Sequence, residues 1–419
     1  MAIPGKQTRR MATALLAALA LVLVAGCGGD GGRDGDADDD DDDSGGPRGS
    51  IGGTVLAPNG TTPIAGALVY LTTGDAPEIP GSVFCYECDD MTGKAWVLTN
   101  PDGTWQMENV AAREWNLVAR KGMFRRQRAV TVDANEHLDV PVSLTTLPGE
   151  ASADGLDRIP NYAVLLSQPD ETFKLLGKFG MAQMSGSDVV WGTETFDAFN
   201  DNVSQPGYPP STELFSDQQT IDGYHMIFLP CYGTGVGLSF ADSRTEMIRS
   251  YVSAGGKVYN SCCVSFWSER SFPDYVDFYG DDSAWAWDIG RVSSTALSTQ
   301  GAIADLGLRD WLQVVSPASN LDSFPFVYGY TKIDGVDSVH GHGVEEDDYW
   351  VHPRTWVTGS ADDVYQASPL MVTYSHDCGK VFYSVYETSQ NKAEITPQEY
   401  VLLYIILEIG VCEGEYTVE

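Results

Sequence analysis

The hydrophobic period of this chain changes once, near residue 159, and that change bounds the architectures open to it. Before it, short apolar runs alternate with turn residues. Ile51 to Leu56 ends at Pro58-Asn59-Gly60, and Ala67 to Leu71 ends at Thr73-Gly74. Asn100-Pro101-Asp102-Gly103 precedes the alternating Thr104-Trp105-Gln106-Met107, and Trp115 to Ala119, Ala129 to Val132 and Leu138 to Leu144 continue the series. Strands at such regular spacing predict an all-β sandwich over residues 51–147. After it, strand and helix patterns alternate. Tyr162 to Ser167 is a short apolar run, and Asp170 to Gly180 has helical spacing. Ser187 to Trp191 reads as a second strand and Tyr224 to Pro230 as a third. A helix over Ser243 to Ala254 and a strand over Lys257 to Ser261 follow. This order predicts a parallel sheet covered on both faces over residues 159–412. Leu370 to Tyr374 and Lys380 to Val385 read as a hairpin around His376-Asp377-Cys378-Gly379, and a helix over Pro397 to Leu407 closes the segment. Residues from about 267 to 365 read as an insertion.

The first 26 residues have the make-up of a targeting segment. Lys6, Arg9 and Arg10 give a positive start, and the apolar run Met11 to Ala25 falls short of the ~20 residues a membrane span needs. It ends in Val24-Ala25-Gly26-Cys27, which resembles the lipobox of bacterial lipoproteins. That resemblance implies cleavage before Cys27, acylation of Cys27, and a lipid-anchored place in the cell envelope. Gly28 stands where aspartate would favour inner-membrane retention in that family, which points to the outer membrane. Residues 27–50, with six consecutive aspartates at Asp38 to Asp43, have no apolar residue to repay ordering and read as an acidic, disordered tether.

Charge narrows the partners. Lys and Arg number 25 against 59 Asp and Glu, a formal charge of −34, and loss of the leader removes cations only. Nucleic acid is thereby excluded as a partner. The membrane (through the lipid on Cys27), an envelope protein or a glycan remain. Seven cysteines besides Cys27 in an exported chain point to disulfides. Cys85 and Cys88 are expected to pair locally, since Glu87, Asp89 and Asp90 disfavour a reactive thiolate there. Cys378 and Cys412 are a second expected pair. The only basic cluster, Lys121 to Arg128, reads as a charged hairpin edge or a grip on an anion.

Two resemblances sharpen the fold. Gly53-x-Val55, Pro63-Ile64-Ala65-Gly66-Ala67-x-Val69 and Asp102-Gly103-x-Trp105 with Asn109-Val110 resemble the carboxypeptidase regulatory-like domain, a transthyretin-like sandwich that is usually a non-catalytic module. Tyr162 to Leu166, His225 to Pro230, Tyr251-Val252-x-Ala254-Gly255-Gly256-Lys257-Val258-Tyr259 and Gly379 to Ser384 resemble the class I glutamine amidotransferase-like fold. Non-catalytic relatives of that fold occur in bacterial lipoproteins, and this chain looks most like those. The expected fold class is multidomain: a transthyretin-like all-β sandwich plus an α/β flavodoxin-like parallel sheet with a large aromatic-rich insertion.

The second resemblance implies a nucleophilic cysteine on a sharp turn after the fourth strand, where Cys262 and Cys263 stand. Small residues are wanted two before and two after a nucleophile on such a turn. Ser261 and Ser265 satisfy this around Cys263, whereas Val264 crowds Cys262, so Cys263 is the better candidate. The flavodoxin-like strand order implied by the resemblance would bring Cys231 beside Cys262 or Cys263 as a third expected disulfide pair. The family's histidine should follow the strand Lys380 to Val385, but Tyr386-Glu387-Thr388-Ser389 offers only the acid Glu387. His225 and His376 fall at the wrong ends of their strands. Without a base, and among acids, Cys263 is expected to stay protonated and to alkylate no faster than free cysteine. His340-Gly341-His342 has no fixed third ligand among Glu345, Glu346, Asp347 and Asp348, so no metal or cofactor is assigned. Trp267, Trp285, Trp287 and Trp350, interleaved with aspartates, are candidates for stacking on a glycan or partner, against the alternative that they pack the insertion onto the sheet. The chain therefore reads as a membrane-anchored, non-catalytic binding or scaffold protein. A cysteine-dependent hydrolase or amidotransferase using Cys263 and a glycan-binding module are the alternatives.

Overall fold

The turn at residues 100–103 forms as its residues require. Asp102 accepts from the Thr104 amide at 3.0 Å, and Gly103 takes φ +77°, where a Cβ would meet the Val55 carbonyl. It launches one of eight strands in the N-terminal part of the computed structural model. These are β1 (Arg48–Thr54), β2 (Leu68–Thr72), β3 (Trp96–Leu98), β4 (Thr104–Ala111), β5 (Glu114–Lys121), β6 (Phe124–Thr131), β7 (His137–Asp139) and β8 (Asp157–Arg158). They form two sheets, β4-β1-β7 and β3-β2-β5-β6-β8. Along β4, Trp105, Met107 and Val110 are buried while Gln106 and Glu108 face solvent, the alternation of a sheet with one covered face. The structure describes residues 46–231, 244–284, 286–340, 350–360, 364–388 and 392–412. The lipobox, the tether up to residue 45, Trp285, His342 and the acids at 345–348 lie outside them, whereas Arg48 to Ser50, expected to end the tether, begin β1.

The rest of the described chain is built on one nine-stranded sheet. In chain order come β9 (Tyr162–Leu166), α1 (Thr172–Leu176) and the short hairpin β10 (Met184–Ser185) and β11 (Asp188–Val189). Next are β12 (Asp197–Asn200), α2 (Ser211–Leu214), α3 (Gln218–Asp222), β13 (Met226–Leu229), α4 (Thr245–Ser253) and β14 (Lys257–Ser261). There follow α5 (Phe266–Ser271), β15 (Val276–Phe278), β16 (Leu297–Ile303), α6 (Leu306–Val315), β17 (Phe324–Gly329), β18 (Ile333–Val336), β19 (Val339–His340) and β20 (Trp350–Val351). Last come β21 (Arg354–Gly359), β22 (Pro369–His376), β23 (Gly379–Ser384) and α7 (Pro397–Ile409). The sheet order is β12-β9-β13-β14-β23-β22-β21-β16-β17. Its first five strands are parallel, and the remainder continue antiparallel. Residues of β9, β13 and β14 are buried on both faces, as a covered parallel sheet requires.

Three expectations need correction. The second parallel strand is Asp197–Asn200, not Ser187–Trp191, because Gly186 at φ +65° turns that stretch into the β10–β11 hairpin. The stretch 267–365 is only partly an insertion. It supplies β16, β17 and β21, whose backbone groups extend the central sheet. The basic cluster is not a free edge. Arg120 pairs with Asp89 at 2.8 Å, Lys121 with Glu408 at 2.6 Å, and Arg126 and Arg128 both with Asp157.

That cluster faces inward because the β5–β6 hairpin docks on α7. Gly122, at φ +57°, sits so close to Gly410 that a Cβ would lie 2.6 Å from its carbonyl oxygen. Apolar residues from Ile51 in β1 to Ile409 in α7 form one continuous core, and residues 46–419 cluster as one compact unit. Helix α7 is buried nearly all round and starts at a capping box between Thr396 and Glu399, with Pro397 in its first turn. Glu399 also pairs with Lys178 at 2.8 Å, both fully covered. No helix among the described residues is long and apolar enough to cross a membrane.

Four of the predicted disulfide cysteines are joined, with partners exchanged. Cys85 bonds Cys378, and Cys88 bonds Cys412. The local pair Cys85–Cys88 and the pair Cys378–Cys412 do not form, because the loop carrying Cys85 and Cys88 crosses onto the C-terminal elements. Val83 donates to Asp222, and Asn161 donates to Gly81, which fixes that crossing.

Candidate functional site

Strands β13, β14 and β23 are adjacent and parallel, so whatever follows each of them arrives at the same sheet edge. Cys231 follows β13, Cys262 and Cys263 follow β14, and Glu387 follows β23. The three sulfur atoms lie within 4.8 Å of one another, with Cys262 and Cys263 3.4 Å apart. All three cysteines are free. The expected bond from Cys231 to Cys262 or Cys263 is absent, although the expected neighbourhood is present.

The turn after β14 is held from several sides. Cys262 takes φ +49°, a conformation that costs a non-glycine residue energy. Thr331 donates to the Tyr383 hydroxyl at 2.6 Å, and Tyr383 donates to the Cys262 carbonyl at 2.8 Å. The Ser261 hydroxyl oxygen accepts from the Cys231 N–H at 2.9 Å, while its own proton goes to Asp170. Asp170, fully buried, also accepts from Tyr259 at 3.2 Å and from the Thr388 amide and hydroxyl at 3.0 and 2.5 Å. One carboxylate thus ties together the chain just after β9, the end of β14 and the segment after β23. Sequence reading placed Asp170 only at the start of a helix. Locally only Thr172 donates to it, and its other partners lie 89 to 218 residues away.

Burial pushes the Cys231 and Cys262 thiols well above their ordinary range. Hydrogen bonds from those two thiols pull Cys263 the other way, helped by the distant charge of Arg291. The cluster therefore gives up its first proton from Cys263, which is only half-buried. The direction is opposite to the one expected from the surrounding acids. Glu387 has 0% exposure, and among the described residues neither of its oxygens has a hydrogen-bond partner of ordinary geometry. Burial raises it to about 8, with Asp170 adding repulsion, and the nearby Cys231 and Cys262 thiols offset only part of that.

Among the described residues no histidine joins this cluster. His225 is at the opposite edge, accepting from the Asn161 amide at 2.8 Å and bonded to the Pro80 carbonyl. His376 contacts the Tyr275 hydroxyl at 3.1 Å, and His352 contacts Ser338. His340 rests edge-on against Trp350 on the surface. A cleft of about 370 Å³ opens beside Arg354, Lys380, Glu408 and Cys412, but Lys380 begins β23 whereas Glu387 follows its end. Cleft and thiols belong to opposite edges of the sheet.

The tryptophan candidates do not act together. Trp267 is buried, stacked on Phe215 at 5.5 Å with a 10° interplanar angle, so it is unavailable to a ligand. Its place in an aromatic run is explained by packing against neighbouring rings. Trp287 is half-buried against Phe266, and Trp350 is exposed.

No family model and no curated protein matches the chain. Among solved structures, it is similar to the cytoplasmic protein STM3548 of Salmonella typhimurium at 14% identity and a TM-score of 0.34, covering 60% of this chain and 99% of that one. The cytoplasmic protein STM1381 of Salmonella typhimurium LT2 gives 11% and 0.34, covering 60% and 98%. A β-galactosidase from Bacillus circulans gives 10% and 0.28, covering 61% of this chain and 32% of that one.

Proposed function

We propose that the protein is an envelope lipoprotein, anchored through Cys27 on the outer membrane, whose folded part binds or supports a partner and catalyses no reaction. In this reading residues 51–147 are a transthyretin-like module and residues 159–412 a flavodoxin-like domain. The parallel strands support the second assignment, since numbered along the chain they run 2-1-3-4-5. One observation carries the non-catalytic part. Among the described residues no histidine reaches the thiols, and the group that lies beside them is the buried carboxyl of Glu387. The partner is an envelope protein or a glycan. The glycan alternative loses Trp267 to the core.

A second reading has an observation of its own. The positive φ of Cys262 and the lowered Cys263 thiol are features of an activated nucleophile on a strained turn. Two measurements test the proposal. Cys27→Ser should move the protein from the membrane to the soluble envelope fraction, and retention on the membrane with normal leader cleavage overturns the anchor. The mature protein should turn over neither amide nor thioester substrates. Turnover abolished by Cys263→Ser would establish the hydrolase instead.

A further inference from the structure

Three thiols converge where β13 and β14 end, and the carboxyl of Glu387, which follows β23, lies beside two of them, Cys231 and Cys262. The sulfurs of Cys231, Cys262 and Cys263 lie within 4.8 Å of one another, and none is used in a disulfide. A tetrahedral zinc ion with Zn–S bonds of about 2.3 Å sets its sulfurs about 3.8 Å apart, inside that span. The second observation concerns the carboxyl beside them. Glu387 is completely buried next to Cys231 and Cys262, and among the described residues neither carboxylate oxygen has a hydrogen-bond partner of ordinary geometry. Buried carboxyls are almost always paired or bound to a metal, because desolvation without compensation is costly.

We propose that Cys231, Cys262, Cys263 and Glu387 form a closed, four-ligand zinc site that clamps the ends of β13, β14 and β23. Soft thiolates select against magnesium and calcium, and the carboxylate as fourth ligand favours Zn²⁺ over Cu⁺, which is content with three thiolates. Binding is a proton exchange without redox change. The cation takes up the thiolate and displaces to solvent the protons still held by the other ligands. With all four positions filled by protein, no site is left for water, so the ion's role is structural. This inference stands apart from the lipoprotein reading and does not depend on the anchor.

The test uses the full mature chain, purified without chelator or thiol reductant under anaerobic conditions. Expected are one zinc per chain by atomic absorption and, on replacement by Co²⁺, thiolate-to-metal charge-transfer absorption. Cys262→Ser and Cys263→Ser should abolish both signals. Glu387→Gln should keep the charge-transfer band but weaken zinc binding roughly tenfold or more against a chromophoric chelator. The cobalt spectrum of the unaltered protein decides the matter even where a cysteine variant does not fold. Substoichiometric zinc with no cobalt band would overturn the proposal, as would zinc binding unchanged in Cys262→Ser and Cys263→Ser. So would a disulfide among the three cysteines in unreduced peptide maps, or binding of Cu⁺ but not Zn²⁺.

Discussion

Glu387 shows how far a single side chain is governed by its surroundings. An exposed carboxyl titrates near 4.5, whereas burial and the repulsion of Asp170 raise Glu387 to about 8. Between those values the folded, metal-free chain holds a proton that the unfolded chain has released. Stability contributed by this group is present below 4.5 and is lost as pH rises through the window, by at most about 1.4 kcal/mol per unit. Glu387→Gln removes the titration. In urea unfolding from pH 5 to 8, the metal-free variant should lose less stability than the parent and exceed it at pH 8 by about 3 kcal/mol. Asp201 and Glu269, raised by burial to about 6 and 7, should leave a residual slope in the lower part of the range. A parallel fall in parent and variant up to pH 8 would mean that Glu387 is ionised in the fold.

At the scale of elements, the ends of β9, β14 and β23 are joined by hydrogen bonds to Asp170 rather than by apolar packing. Removing its carboxylate leaves the Ser261 and Tyr259 hydroxyls and the Thr388 amide without an acceptor in a dry interior. Asp170→Ala should therefore destabilise the protein by about 3 kcal/mol or more in urea unfolding. It should also loosen the turn that carries Cys262 and Cys263. An effect below ~0.5 kcal/mol would show that water or a neighbouring group takes over, since that is the range of ordinary surface changes. Strand β14 itself was legible from Lys257 to Ser261 because a continuous apolar run after Gly255-Gly256 has few other solutions. The edge strand Asp197–Asn200 was not, since four residues with one polar end carry no periodic signal.

For the molecule as a whole, the two disulfides matter by where they reach. Both join the loop after β2 to the C-terminal hairpin and helix, across 293 and 324 residues of chain. Loops of that length restrict the unfolded chain strongly, and breaking one crosslink typically costs about 2–4 kcal/mol. Peptide mapping of the unreduced protein should recover Cys85 linked to Cys378 and Cys88 linked to Cys412. Recovery of Cys85 linked to Cys88 would overturn this connectivity. Replacing Cys88 and Cys412 together with serine should lower stability by about 2–4 kcal/mol, measured by urea unfolding. The docking of the β5–β6 hairpin through Lys121 and Glu408 should keep the native core formed.

The features legible in the amino-acid pattern alone are local or periodic. The break near residue 159, the β-rich first part, the strand–helix alternation, the hairpin at residues 369–384 and the last helix all follow from apolar spacing and turn residues, which act between near neighbours. Placing cysteines at the ends of the third and fourth parallel strands followed from the same patterns, while the adjacency of Cys231 to Cys262 and Cys263 followed from the strand order that the family resemblance implies. Tertiary structure decided the rest. It chose the disulfide partners, turned the basic cluster inward, made Trp267 a core residue, and gave Asp170 and Glu387 their settings. Each of these depends on groups far apart in the chain meeting in a low-dielectric interior, where pairing and desolvation set the energy of a charge or a thiol. Spacing along the chain carries no record of that meeting.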